Sequence, residues 1–179
     1  ILEEIDGYVI AANKNCNSQT VIAGNSDAVD RAVTKFGELK LDARHIPVSH
    51  AFHSAIVAPA AKPLGRVLSA LDLHAPKTPI LSNVHADFYP SSKEEIVELL
   101  AAQLESPVEF IGQIERLYEE GVRTFVEVGP RRAITGFVRN ILAGKSHRAI
   151  ATNHHKKMGV DGLKEALAAL ASSGVSVDF

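Results

Sequence analysis

Two histidines three residues apart, His50 and His53, flank Ala51 and Phe52 in the stretch Pro47-Val48-Ser49-His50-Ala51-Phe52-His53-Ser54. A neutral imidazole suits removal of a proton from a hydroxyl or thiol near neutral pH. If the turn is helical, residues three apart share a face and both rings point one way. Three readings stand open: a general base beside a pocket-lining partner, a buried satisfied His beside an exposed one, or two metal ligands. The helical zinc motif needs its pair four apart with a Glu beside the first. That pattern is absent and no third ligand lies near in sequence, so no metal is expected.

Other residues invite chemistry less strongly. Gly24-Asn25-Ser26-Asp27-Ala28 follows a strand and opens a helix, as a G-x-S-x-G nucleophile elbow does, but Ala replaces the last Gly. The plainer reading has Asn25 or Ser26 capping the helix. No intact G-x-S-x-G occurs elsewhere. Cys16 is the single cysteine, which excludes an intrachain disulfide or CxxC clasp and fits a reduced, cytoplasmic setting. Gly121 to Arg132 reads as strand, turn and helix, with the turn at a strand's carboxyl end, where open α/β sheets place ligands; fold punctuation by Gly129 and Pro130 is the reading favoured over ligand contact. His154-His155-Lys156-Lys157 reads as a solvated basic link.

The elements that must position these residues follow from periodicity and breakers. Strands are expected at 7–12, 19–23 and 41–48, with a helix after Asn25 carrying Ala28, Val29, Ala32, Val33 and Phe36 and ending near Gly37. Ser54 to Leu71 is expected as one long helix despite Pro59 and Pro63. Ile80 to Val84 reads as a short strand. Ser91-Ser92-Lys93-Glu94-Glu95 has the look of a capping box. Helices are expected from there through Leu104, from Pro107 to Gly121, at 132–142 and at 160–171, with strands at 123–128 and 148–152. Two strands, a helix and a strand resemble half of a ferredoxin-like unit. From Ile80 onward strands alternate with helices, the signature of an α/β domain with a mainly parallel sheet. A subdomain boundary is therefore expected near Pro47.

Bulk properties narrow the class. The chain has 179 residues, 46% hydrophobic and 22% charged, with a net charge of -2. That is ordinary for a soluble globular protein and lacks the basic surplus of a nucleic-acid binder. No apolar run approaches the roughly 20 residues of a membrane span. Ile1 opens no signal-peptide pattern and is not Met, so a piece of a longer protein is expected.

Several ordered segments together resemble one family. They are Val21-Ile22-Ala23-Gly24, the stretch from Pro47 to Ser54, Pro79-Ile80-Leu81-Ser82-Asn83-Val84, Gln103-Leu104-Glu105-Ser106-Pro107-Val108-Glu109-Phe110, and Phe125-Val126-Glu127-Val128-Gly129-Pro130. They resemble the acyltransferase domain of type I polyketide synthases and polyunsaturated fatty acid synthases, and the malonyl-CoA:acyl-carrier-protein transacylase of fatty acid synthesis. The tail from Gly174 to Phe179 resembles the end of the linker that follows the acyltransferase in type I synthases.

The resemblance implies an α/β-hydrolase-like large subdomain carrying a ferredoxin-like small subdomain. Residues 1–48 would be part of the small one, 49–145 the C-terminal part of the large one, and 146–179 the last strand and linker. It implies that His53 is the catalytic base and that the backbone carbonyl of Gln103 orients it. It makes His50, Ala51 and Phe52 a substrate-binding signature for malonyl over methylmalonyl. Malonyl-CoA would be the substrate and the phosphopantetheine of an acyl carrier protein the acceptor, with no tightly bound cofactor. The nucleophilic Ser, the oxyanion loop and the carboxylate-binding Arg would lie upstream of Ile1, so the upstream half and neighbouring synthase domains would be partners. Glu109 departs from the basic residue common there. A non-catalytic carrier-binding or scaffold module of a megasynthase remains the alternative.

Overall fold

The computed structural model describes residues 1–48, 50–154 and 159–177. The chain falls into two compact units, Ile1–Asn15 with Gln19–Gln113, and Cys16–Ser18 with Ile114–Phe179. The Pro47 region therefore lies inside the first unit.

In the first unit, β1 (Val9–Cys16) and β2 (Gln19–Gly24) form a two-stranded sheet. Only Asn17 and Ser18 join them, a connection short enough for antiparallel strands alone. Helix α1 (Ser26–Glu38) lays Ala28 and Ala32, both fully buried, against Val9, with Ile5, Ile22, Val29 and Phe36 around them. Asn25 sits at the N-cap but makes no side-chain capping bond. Its backbone N–H goes to the Tyr8 carbonyl at 2.9 Å instead. The helix runs through Gly37, and Lys40 takes the left-handed turn beyond it at φ 57°. Lys40 N–H bonds Gly37 O and Leu41 N–H bonds Phe36 O, the two bonds of a Schellman motif.

Several sequence expectations fail in this unit. Residues 41–48 form no strand. Leu41 spends its N–H on the end of α1, Val48 bonds Ile46 within its own loop, and Ile46 and Val48 are exposed. The long helix from Ser54 divides into a 3-10 helix (Ala55–Ala60) and α2 (Ala61–Ser69). Pro59 and Pro63 each lack the N–H that would reach four residues back, and each ring crowds that carbonyl. Residues 80–84 form a loop closed by the bridge between Leu81 and Phe88. Ser82 N–H bonds Asp87 O, Ala86 N–H bonds Ser82 O, and Ser82 Oγ accepts from Val84 N–H, so the segment satisfies its polar groups locally.

Helix α3 (Lys93–Ala102) starts where Ser92 Oγ accepts from Glu95 N–H and donates to the Glu95 carboxylate. Pro107 does not open the next helix. Val108 is first drawn alongside β1, its N–H bonding Ala12 O at 2.8 Å and its carbonyl accepting from Lys14 N–H at 3.0 Å. Helix α4 begins only at Phe110 and runs to Glu119, where Gly121 at φ 91° turns the chain.

The second unit contains β3 (Thr124–Pro130), α5 (Ala133–Ile141), β4 (Arg148–Asn153) and α6 (Val160–Ala171). Strands β3 and β4 pair in parallel, Thr124 opposite Arg148 through Glu127 opposite Ala151, so β3-α5-β4 is a βαβ unit. Val138, Ile141 and Leu142 on and after α5, Ala149 on β4 and Ala166 on α6 are buried. Cys16, the last residue of β1 but grouped with the second unit, is buried with Sγ 3.6 Å from Ser18 Oγ. The basic cluster after His154 lies outside the described residues, as do Asp178 and Phe179 at the tail. Among the described residues no helix is long and apolar enough to cross a membrane.

Candidate active site

The stretch from His50 to Ser54 is not helical, so the two histidines do not share a helix face. Ser49 lies outside the described residues. His53 occupies the left-handed region at φ 60°, unusual for a residue with a Cβ and worth about 1–2 kcal/mol of strain. Two bonds tie it to the end of α3. Its backbone N–H donates to Leu104 O at 3.0 Å, and its Nδ1 lies 3.0 Å from Gln103 O. Gln103 is the C-cap of α3, so these are carbonyls that the helix leaves without a partner of its own. A carbonyl can only accept; Nδ1 therefore carries the proton, and in the neutral ring Nε2 keeps its lone pair. The carbonyl end of a helix also bears partial negative charge, which complements positive charge arising on the ring.

His50 and Phe52 stand on the outer side of the same turn. Both are exposed, with ring centroids 6.2 Å apart and planes tilted by 56°. Ala51 contributes its carbonyl, which accepts from Ser54 Oγ. Ser54 is fully buried and caps the 3-10 helix. The next N–H, that of Ala55, donates to the Tyr8 hydroxyl at 2.8 Å. His53 and Gln103 thus come together across 50 residues, while His50, Ala51 and Phe52 form the turn leading into them.

Sequence reasoning missed Leu104, Ser54 and Tyr8. A backbone carbonyl leaves no mark in a sequence. Ser54 could have been found as a Ser directly ahead of a helical segment. Ser26 is the first residue of α1, in the turn where Gly24 packs on Tyr8. Among the described residues no three His, Cys, Asp or Glu side chains gather as a metal cluster.

The strand-turn-helix after β3 is held by Glu127. Its carboxylate accepts from the N–H groups of Ile134 (3.2 Å) and Thr135 (2.7 Å) and from Thr135 Oγ1 (2.6 Å). A carboxylate at a helix N-terminus satisfies orphan donors and complements the dipole. This turn is structural punctuation, delivered by Glu127 together with Arg131 at φ 71°.

Residues 2–176 match the family model described as acyl transferase domain. Malonyl CoA-acyl carrier protein transacylase of Bacillus subtilis (strain 168) is 37% identical over 164 residues, covering 90% of this chain and 51% of that protein. The acyltransferase domain from the second module of the salinomycin polyketide synthase superposes with a TM-score of 0.85 at 28% identity, covering 99% of this chain and 41% of that one. A malonyl-transacylase solved in complex with a type II polyketide synthase acyl-carrier protein gives a TM-score of 0.83 at 31% identity, over 94% of this chain and 53% of that one. The chain therefore spans about half the length of the transacylases it matches and shares their α/β fold. It belongs to the acyl transferase domain family.

Proposed function

We propose that this chain carries the general-base half of a site that moves a malonyl group from coenzyme A, through an acyl-serine, to the phosphopantetheine thiol of an acyl carrier protein. The observation that carries the reading is His53 with Nδ1 on the Gln103 carbonyl and Nε2 left as the basic nitrogen, in a member of an acyl transferase family. Nε2 takes the proton of a serine hydroxyl as its oxygen attacks the thioester carbonyl. The C–S bond breaks and the imidazolium returns the proton to the departing coenzyme A thiolate. The carrier's thiol then gives its proton to Nε2, its sulfur attacks the ester, and the serine oxygen leaves with that proton. One base serves both half-reactions. Gln103 replaces the carboxylate of a Ser-His-Asp triad with a neutral acceptor that sets the tautomer.

In this reading the nucleophile comes from the half of the relatives that the chain does not span. No intact elbow motif occurs here, and Ser54, fully buried and bonded to Ala51, cannot meet a substrate. Residues 1–48 act as part of the small subdomain, 49–145 as the C-terminal part of the large one, and 146–179 as the last strand and linker. His50 and Phe52 line the acyl pocket and disfavour a branched extender. The carrier protein and neighbouring synthase domains are the partners, in a cytoplasmic biosynthetic setting that suits the lone Cys16. In the intact protein, His53→Ala should lower malonyl loading from malonyl-CoA by about 10²–10⁴-fold, read by mass spectrometry of the acyl-serine. Undiminished acyl-enzyme would overturn the assignment.

A further inference from the structure

The reading of His53 as base leaves open what keeps its backbone in the left-handed region. We propose that Ser54 is a positioning residue for His53, an inference that rests on that reading. Ser54 is fully buried beside a half-buried His53 and an exposed Phe52. Its hydroxyl does two things at once. As donor it reaches back to Ala51 O, closing the turn that contains His53 from within. As acceptor it takes the N–H of Ile56 at 3.4 Å, and Val57 N–H bonds the Ser54 carbonyl at 3.2 Å, so the same residue anchors the start of the 3-10 helix. The turn before His53 and the helix after it are thereby tied through one side chain.

His53 makes its own two bonds to Gln103 and Leu104, but these fix only the imidazole and one N–H. Rotation about the His53 backbone would swing the ring away from the α3 carbonyls, and relief of the φ 60° strain favours that rotation. The Ser54 hydroxyl opposes it, because a relaxed φ at His53 would separate Ser54 from Ala51. Buried as it is, this hydroxyl has no water to replace the lost partner. Ser54 thus acts on the chemistry through His53, without touching the acyl group.

The test uses Ser54→Ala and Ser54→Cys in the intact protein, with His53→Ala alongside. Cysteine nearly keeps the volume but offers only a weak S–H donor, so it decides the matter should Ser54→Ala fail to fold. Both Ser54 variants should lower kcat for malonyl loading by about 10–100-fold at unchanged KM, since misplacing a base affects the chemical step and leaves binding alone. The ¹⁵N resonances of the His53 ring should lose the pattern of a single Nδ1–H tautomer. A normal kcat in Ser54→Cys would overturn the inference, as would a lowered kcat with the His53 tautomer signal intact. If His53→Ala itself loads normally, it is the reading of His53 that fails; if it is inactive while the Ser54 variants work normally, only the role of Ser54 fails.

Discussion

Gly24 is a position where the fold leaves almost no room for a side chain. A Cβ added there would lie 2.1 Å from the Tyr8 carbonyl oxygen and 2.7 Å from Val9 Cα, where ordinary contact begins at 3.4 Å. Both obstacles are backbone atoms, so no side chain can swing aside. The Tyr8 carbonyl would have to retreat by roughly 1 Å, and it is the acceptor for Asn25 N–H at 2.9 Å. Overpacking costs about 1–3 kcal/mol, and loss of that bond at the start of α1 about 1 kcal/mol. The lower unfolded-state entropy of alanine returns about 0.4–1 kcal/mol. Gly24→Ala should therefore destabilise by about 1–3.6 kcal/mol, seen as a lower urea midpoint of the intact protein with unchanged slope. Gly37→Ala is the matched control. Its added Cβ meets nothing within 4 Å inside α1, so it should gain about 0.5–1 kcal/mol. Equal midpoints for the two variants would refute the close-approach argument.

Glu127→Ala should cost about 2–3 kcal/mol, because two helix-end N–H groups and the buried Thr135 hydroxyl lose a charged acceptor; Glu127→Gln should recover part of it in the same melting experiment. Burial holds the Tyr89 hydroxyl above the usual phenol range, with a hydrogen bond to Ser82 pulling the other way. The folded state then keeps a proton that the unfolded chain releases, so this contribution to stability is whole below about pH 10 and is lost as pH rises towards the folded value. Tyr89→Phe should flatten the alkaline limb of a stability–pH curve, and an unchanged limb would count against it. Replacing both His50→Tyr and Phe52→Ser should raise methylmalonyl use relative to malonyl in a competition assay, a shift bounded at about 10–200-fold because one methyl group is worth little. An unchanged ratio would remove the selectivity proposal.

Much of the architecture was legible because local chemistry and tertiary structure agree. Ala28 and Ala32 mark the buried face of α1, Ser92 with Glu95 opens α3, and Gly121 ends the turn after α4, each by a rule that needs only near neighbours. The failed strands share one cause. Leu41 to Val48 and Ile80 to Val84 have the composition of strands, but a strand exists only where another backbone offers a ladder, and composition cannot report a partner. The converse error occurs at Val108, where the sequence reads as helix and pairing with β1 keeps the chain extended. Lys40 was invisible for a different reason: the Schellman turn falls three residues beyond Gly37, on a side chain that carries no positive-φ signal.

The candidate site shows the same division at higher stakes. The two histidines are plain in the sequence, but what distinguishes them is made by backbone. Gln103 and Leu104 hold His53 through carbonyls, and five residues later Val108 is stitched to β1 through its own N–H and carbonyl, with the Lys14–Glu109 ion pair at 2.6 Å beside it. That pair is partly exposed and adds little energy; the backbone bonds set the geometry. The segment from Gln103 to Glu109 is therefore a strap, joined to His53 at one end and to β1 at the other. Tyr8, just ahead of β1, closes the loop by accepting from Ala55, two residues past His53. A disturbance at the β1 end, such as the Tyr8 displacement expected of Gly24→Ala, has a covalently short route to His53. Such a variant should lose loading rate beyond what its unfolded fraction accounts for.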